Sequence, residues 1–168
     1  TSDLEVLSQR VSDYAAVCAR KLREEKTVAA EVTTFMYTNR FREDMPQYFP
    51  SITIRLEVAT NSTYEIVSAA LKALKLIYNS NYMYKKAGVT VSGISPSNAI
   101  QASLFDCNAE LREKHKVLSE IIDKINVSAG DGALRLATQK KGHYANDIRS
   151  DYRSKLFTTS LSEIIEVH

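Results

Sequence analysis

The chain has 168 residues, 44% of them apolar and 25% charged, with a formal net charge of +2. That length suits one domain with or without an appendage, and the apolar share is enough to fill a core. The weak charge excludes nucleic-acid binding by bulk electrostatics alone, so any such affinity must come from local placement. Residues 1–97 carry 12 Lys+Arg against 10 Asp+Glu, and residues 98–168 carry 10 of each.

No apolar run approaches the roughly 18 residues that span a bilayer. Thr1-Ser2-Asp3-Leu4 has neither the basic nor the apolar region of a signal peptide. No membrane partner and a cytoplasmic location are therefore expected. The missing initiator Met reads as a fragment or a processed product. Cys18 and Cys107 read as reduced thiols, and His115, His143 and His168 have no ligand-like spacing to them, so no metal is expected.

Ser2 and Glu5 have capping-box spacing, followed by Leu4, Leu7, Val11, Tyr14, Ala15, Cys18 and Leu22 at three- and four-residue intervals. This predicts a helix over about 3–25 with Cys18 on its apolar face. Thr27 to Thr38 is β-branched and aromatic. As a strand it puts Val28, Ala30, Val32, Thr34 and Met36 on one face and Ala29, Glu31, Thr33, Phe35 and Tyr37 on the other. Asn39 to Pro50 reads as a loop. Ser51 to Thr60 alternates cleanly, with Ile52, Ile54, Leu56 and Val58 inward. Ser62 and Glu65 form a second capping box before a helix over about 63–78. Tyr84 to Ser95 is the third strand, with Ala87, Val89 and Val91 inward.

The order helix, strand, strand, helix, strand defines an α+β fold: a small antiparallel sheet with two helices on one face. The other face offers Thr, Tyr, Arg and Lys to solvent. Such a face can bind a partner or simply be solvated. Residues 96–108 read as a linker. Asn108 then caps a helix over about 109–126, with Leu111, Leu118, Ile121, Ile122 and Ile125 on one side. Ala133 to Ala137 reads as a short strand. Lys140, Lys141, His143 and Tyr144 make a basic-aromatic patch or an exposed loop, and 109–168 as a whole is a helix and an irregular tail.

The linker holds Gln101-Ala102-Ser103-Leu104-Phe105. A Gln followed at fixed spacing by adjacent Leu and Phe is the layout of sliding-clamp docking peptides. Gln101 supplies donors and an acceptor for orientation. Leu104 and Phe105 are paired anchors for preformed pockets. Ala102 stands where Leu is frequent, which weakens such a contact.

Several strings resemble the C-terminal region of UmuC-type (ImpB/MucB/SamB) Y-family translesion DNA polymerases. They are Ala19-Arg20-Lys21-Leu22-Arg23, Thr34-Phe35-Met36-Tyr37-Thr38-Asn39-Arg40-Phe41, Tyr84-Lys85-Lys86-Ala87-Gly88-Val89, Leu134-Arg135-Leu136-Ala137 and Phe157-Thr158-Thr159, with the clamp peptide between them. The resemblance implies that residues 1–95 are a little-finger-like domain, 96–108 a clamp-binding linker and 109–168 a subgroup-specific tail. It implies an SOS lesion-bypass role, contact with template-primer DNA and the sliding clamp, and association with a UmuD-like accessory protein and RecA.

The palm and fingers of that family, with their Mg-binding carboxylates, are absent from this sequence, so the fragment is expected to be non-catalytic and to need no cofactor. The family domain begins with a strand that this sequence lacks. The expected sheet is therefore one edge strand short, with a partner or the segment near Leu134 able to pair there. The family tail usually carries a Trp and a Ser-Pro-Arg-Tyr-Thr-Thr string. This chain has no Trp and reads Ser154-Lys155-Leu156-Phe157-Thr158-Thr159.

A little finger grips the sugar-phosphate backbone, so the expected DNA contacts are Thr33, Tyr37, Arg40, Arg55, Lys85 and Lys86. The competing reading is a protein-interaction adaptor whose open sheet face binds protein. No Gly-rich phosphate loop, His/Asp/Ser arrangement or clustered carboxylates support a small enzyme.

Overall fold

A computed structural model of the chain describes residues 1–98, 109–130 and 132–139. In chain order the elements are α1 (Leu4–Glu24), β1 (Thr27–Thr38), β2 (Ser51–Thr60), α2 (Thr63–Ile77), β3 (Tyr84–Pro96) and α3 (Ala109–Ala129). The fold is α+β, as its periodicities predict.

The long strand β1 is the centre of an antiparallel three-stranded sheet, ordered β2-β1-β3. Helices α1 and α2 pack side by side on one face. Val11, Ala15 and Ala19 of α1 meet Val32 and Met36 of β1 and Ile66, Ala70 and Leu74 of α2, all fully buried. Thr34 is a polar residue in this layer. Its hydroxyl donates to the Ala70 carbonyl at 3.1 Å, which removes the penalty of burying it. Cys18 is half-buried, and that burial pushes its thiol pKa up. Tyr48, Tyr78, Tyr82 and Tyr84 close one end of the core, Tyr48 stacked on Tyr82 at 4.5 Å. The Tyr84 hydroxyl donates to the Asn79 carbonyl and accepts from the Asn79 amide, both at 3.0 Å.

Three expectations about chain ends are corrected. Asp3, not Ser2, caps α1, accepting from the amides of Glu5 (2.8 Å) and Val6 (3.4 Å). The Ser2 carbonyl instead accepts the Tyr78 hydroxyl at 2.6 Å. At α2, Ser62 occupies the cap position but makes no side-chain cap bond, and its buried hydroxyl has no partner among the described residues. The amide of Thr63 donates to Ser119 of α3 at 3.2 Å. Finally, β3 runs through Pro96, which pairs with Thr27.

Strict alternation fails at the start of β1. Val28 and Ala29 are both buried and Ala30 is not. The cause is an irregularity against β2, where Ala29 pairs with Thr60 but Glu31 with Arg55, so β2 carries extra residues that bend the pair. Gly93 sits across from this bend at φ +63° with room for no side chain beside Ala30.

The outer edge of β3 exchanges two backbone hydrogen bonds with Thr1, through Tyr84, at 2.8 and 2.9 Å. The segment near Leu134 does not pair there, and residues 133–137 form no strand. Asn126 of α3 holds the Leu134 backbone instead, accepting its N–H at 2.8 Å and donating to its carbonyl at 3.0 Å. A side chain that satisfies both backbone groups removes the drive to find a strand partner.

α3 docks on the domain mainly by polar side chains, with Ile122 and Ile125 of its expected apolar face partly buried. Asp123 forms a bidentate pair with Arg23, Arg112 reaches Glu57 at 3.3 Å, and the ring of His115 lies 4.4 Å from that of Tyr64. Its one fully buried residue is Ser119, while Leu111, Val117, Leu118 and Ile121 are exposed.

Candidate nucleic-acid interface

Among the described residues no helix packs on the second face of the sheet. Strand alternation fixes what it displays: Thr33, Phe35 and Tyr37 from β1, Thr53 and Arg55 from β2, and Lys86, Gly88 and Thr90 from β3. Thr33 lies between Thr53 and Thr90, with its hydroxyl 2.8 Å from that of Thr53. Phe35 lies opposite Gly88. A Cβ at Gly88 would collide with the Phe35 ring, so glycine lets the ring lie flat across the strand.

An aromatic row continues from there. Phe35 and Tyr37 are 5.1 Å apart between ring centroids, and Tyr37 and Phe49 5.8 Å. The Arg40 guanidinium sits 4.9 Å from the Phe49 ring and 5.7 Å from that of Tyr37. Cation–π contact on two rings pre-positions this charge.

The two adjacent lysines are parted by an irregularity in register between Tyr37 and Thr38. Lys86 pairs with Tyr37 on the open face. Lys85 turns to the loop at the strand end, 3.3 Å from Asn39 Oδ1 and 5.5 Å from the Phe41 ring. Arg55 faces outward but pairs in register with the acidic Glu31, which also accepts the Ser92 hydroxyl at 3.0 Å. The structure thus gathers Thr33, Tyr37, Arg40 and Lys86, places Lys85 at their margin, and sets Arg55 further along beside an opposing charge.

Sequence reasoning placed Phe35 on this face beside Thr33 and Tyr37 but missed Phe49 and Phe41 as members of the surface. Two phenylalanines within an otherwise polar, proline-flanked loop were the available signal. Gln101, Leu104 and Phe105 of the clamp peptide lie outside the described residues, as do Asn108, Lys140, Lys141, His143 and Tyr144.

A second concavity, about 700 Å³, lies between the end of α1, the end of β2 and α3. Arg23, Lys26, Arg112, Lys116 and Lys124 line it together with Glu24, Glu113, Glu120 and Asp123, so its charges are matched to within one. Among the described residues no three His, Cys, Asp or Glu side chains gather as metal ligands would, and no helix is long and apolar enough to cross a membrane.

The described residues form a helix-backed antiparallel sheet whose open face carries hydroxyls, aromatics and cations. Residues 1–104 match the C-terminal domain of the impB/mucB/samB family, and residues 116–167 match a domain of unknown function, DUF4113. The chain belongs to the impB/mucB/samB family, as a UmuC-type C-terminal region. It is 31% identical over 166 residues to protein UmuC of Salmonella typhimurium, covering 99% of this chain and 39% of that protein. It is 33% identical over 127 residues to protein ImpB of Salmonella typhimurium (76% of this chain, 30% of that protein). It is 30% identical over 155 residues to protein MucB of Escherichia coli (88% and 36%). The chain therefore spans well under half the length of these relatives.

Proposed function

We propose that this chain is the non-catalytic C-terminal part of an error-prone translesion DNA polymerase, in which the open sheet face holds template-primer DNA by its backbone. Family membership and the composition of that face support the reading. The single observation that carries it is the grouping of Thr33, Tyr37, Arg40 and Lys86 on one sheet face that no described helix covers, while α1 and α2 occupy the other. Cations neutralise phosphates and hydroxyls fix register, neither of which reads sequence. Tolerance of damaged template follows, because backbone contacts do not depend on intact base edges.

In this reading Gln101, Leu104 and Phe105 tether the polymerase to the sliding clamp, and a UmuD-like protein and RecA are partners of the assembled enzyme. The test is binding of the chain to template-primer DNA across a salt series. The doubly substituted Arg40→Ala, Lys86→Ala protein is expected to bind more weakly by a similar factor on unrelated sequences. Its log–log salt slope should be shallower by about 0.9 for each phosphate that the variant no longer neutralises. Salt-independent binding, or an unchanged slope in the double variant, overturns the assignment.

A protein-binding adaptor is the second reading. The row Phe35, Tyr37 and Phe49 favours it, since aromatic side chains are enriched in protein interfaces. Binding to a UmuD-like protein that survives high salt, with no DNA affinity, selects it.

A further inference from the structure

Phe41 is 89% exposed, more than any other large apolar side chain among the described residues. An aromatic ring on a slack loop would mean little, but this loop is braced. The Gln47 side-chain amide donates to three carbonyls, those of Asn39 (3.1 Å), Arg42 (2.8 Å) and Met45 (3.1 Å). Its oxygen accepts the Thr38 hydroxyl at 2.9 Å. Asn39 Oδ1 accepts the Phe41 amide at 3.3 Å, and the Arg42 amide donates to the Asn39 carbonyl at 3.1 Å. The ring is therefore presented on a frame already ordered before any ligand arrives, which lowers the entropy cost of binding.

A cation lies against the ring. Lys85 Nζ lies 5.5 Å from the Phe41 ring centroid, and Arg40 and Arg42 flank it in sequence. Of the two acidic residues in the loop, Asp44 is taken up by Arg42 through two hydrogen bonds of 2.9 and 2.6 Å, which hold its carboxyl below the usual range. Glu43 is exposed at the tip. A single exposed ring with the Lys85 ammonium against it is too small a platform for a folded partner. It matches a ligand that is planar on one side and anionic on the other, which describes a nucleotide whose base is not paired.

We propose that Phe41 is a stacking platform for an unpaired base of single-stranded DNA, with Lys85 beside it to meet the adjoining phosphate. This rests on the DNA-binding reading of the open face. Arg40 spans the two places, lying over Tyr37 and Phe49 at one end of the sheet and preceding Phe41 in the loop. A duplex held on the face would thus deliver its single-stranded extension to the loop.

The test uses the full chain with three probes: a blunt duplex, the same duplex with a single-stranded extension, and that extension made abasic. Wild-type protein is expected to favour the base-bearing extension. Phe41→Ala should lose about 5- to 150-fold on that probe alone, the range for one stacked base. Phe41→Trp should keep the gain, and its indole, the sole tryptophan of the chain, should be quenched by the base-bearing extension only. Equal weakening of Phe41→Ala on all three probes, no effect on any, or equal binding of the abasic extension overturns the stacking site while leaving duplex binding intact. Failure of the wild type to bind any probe overturns the DNA reading itself and the stacking site with it. Thermal midpoints of the variants should match wild type, because the ring supports no core.

Discussion

Replacing Arg23 by Met should release α3 while leaving the sheet intact. Arg23 closes α1 and its side chain is 9% exposed. It donates to Asp123 through Nε at 2.6 Å and Nη2 at 2.8 Å, and through Nη1 to the Asn61 carbonyl at 2.6 Å. Methionine keeps the length and apolar stem but removes all three bonds. Exposed ion pairs contribute about 0–1 kcal/mol, and breaking a fully buried pair costs about 3–5 kcal/mol. Asp123 at 28% exposure lies between these limits and regains some water when orphaned. The Asn61 carbonyl adds the loss of a hydrogen bond to charge, so the expected cost is about 2–3 kcal/mol.

α3 has a single fully buried residue, so this cost falls mainly on its attachment. Hydrogen exchange of α3 amides should accelerate about 30- to 150-fold at 1.36 kcal/mol per decade, with β1 amides changing far less. Unchanged α3 exchange would refute the view that the polar clamp holds the helix. An equal acceleration in β1 would refute the view that α3 opens independently of the core.

Ser119→Ala removes the acceptor for the Thr63 amide at a 3% exposed position, so it should cost about 1 kcal/mol and lower the thermal midpoint by about 2–4 °C. Gly93→Ala forces φ +63° on a residue with a Cβ and places that atom 2.9 Å from the Ala30 Cβ; a loss of about 1–3 kcal/mol by chemical denaturation is expected, partly restored by Ala30→Gly.

The elements from α1 to α2 are legible in the sequence to within a few residues, because α1, β2 and α2 carry a sustained period of 3.6 or 2 and β1 a run of β-branched and aromatic residues. What the pattern could not supply were choices between chemically equivalent neighbours. Ser2 and Asp3 are both competent caps, and only the path of the chain past Tyr78 assigns the role to Asp3. Val28-Ala29-Ala30 is apolar throughout, so a change of face inside it leaves no trace in the composition.

For α3 the amphipathic period was clear, yet an apolar face invites the assumption that it turns inward. The helix is held mainly by polar side chains, through partners as distant as the 100 residues between Arg23 and Asp123. On the candidate interface, alternation alone placed Thr33 and Tyr37. The separation of Lys85 from Lys86 depended on an irregular register, and the ordered display of Phe41 on side-chain-to-backbone bonds from Gln47. Neither has a period to detect.

The cap that Ser119 provides bears on how members of this family could exchange parts. The chain matches two descriptions, one ending at residue 104 and one beginning at 116, which invites treating the tail as a separable cassette. The contacts argue against free exchange. The native tail brings a hydroxyl to α2's first amide, a carboxylate to Arg23 and a cation to Glu57. A tail lacking the hydroxyl or the carboxylate would strand a polar group that the native pairing satisfies, whereas Glu57, 86% exposed, would be solvated by water. Residue 23 should therefore be inherited with 119 and 123, and chimeras cut between 104 and 116 should regain stability only when these three are kept together.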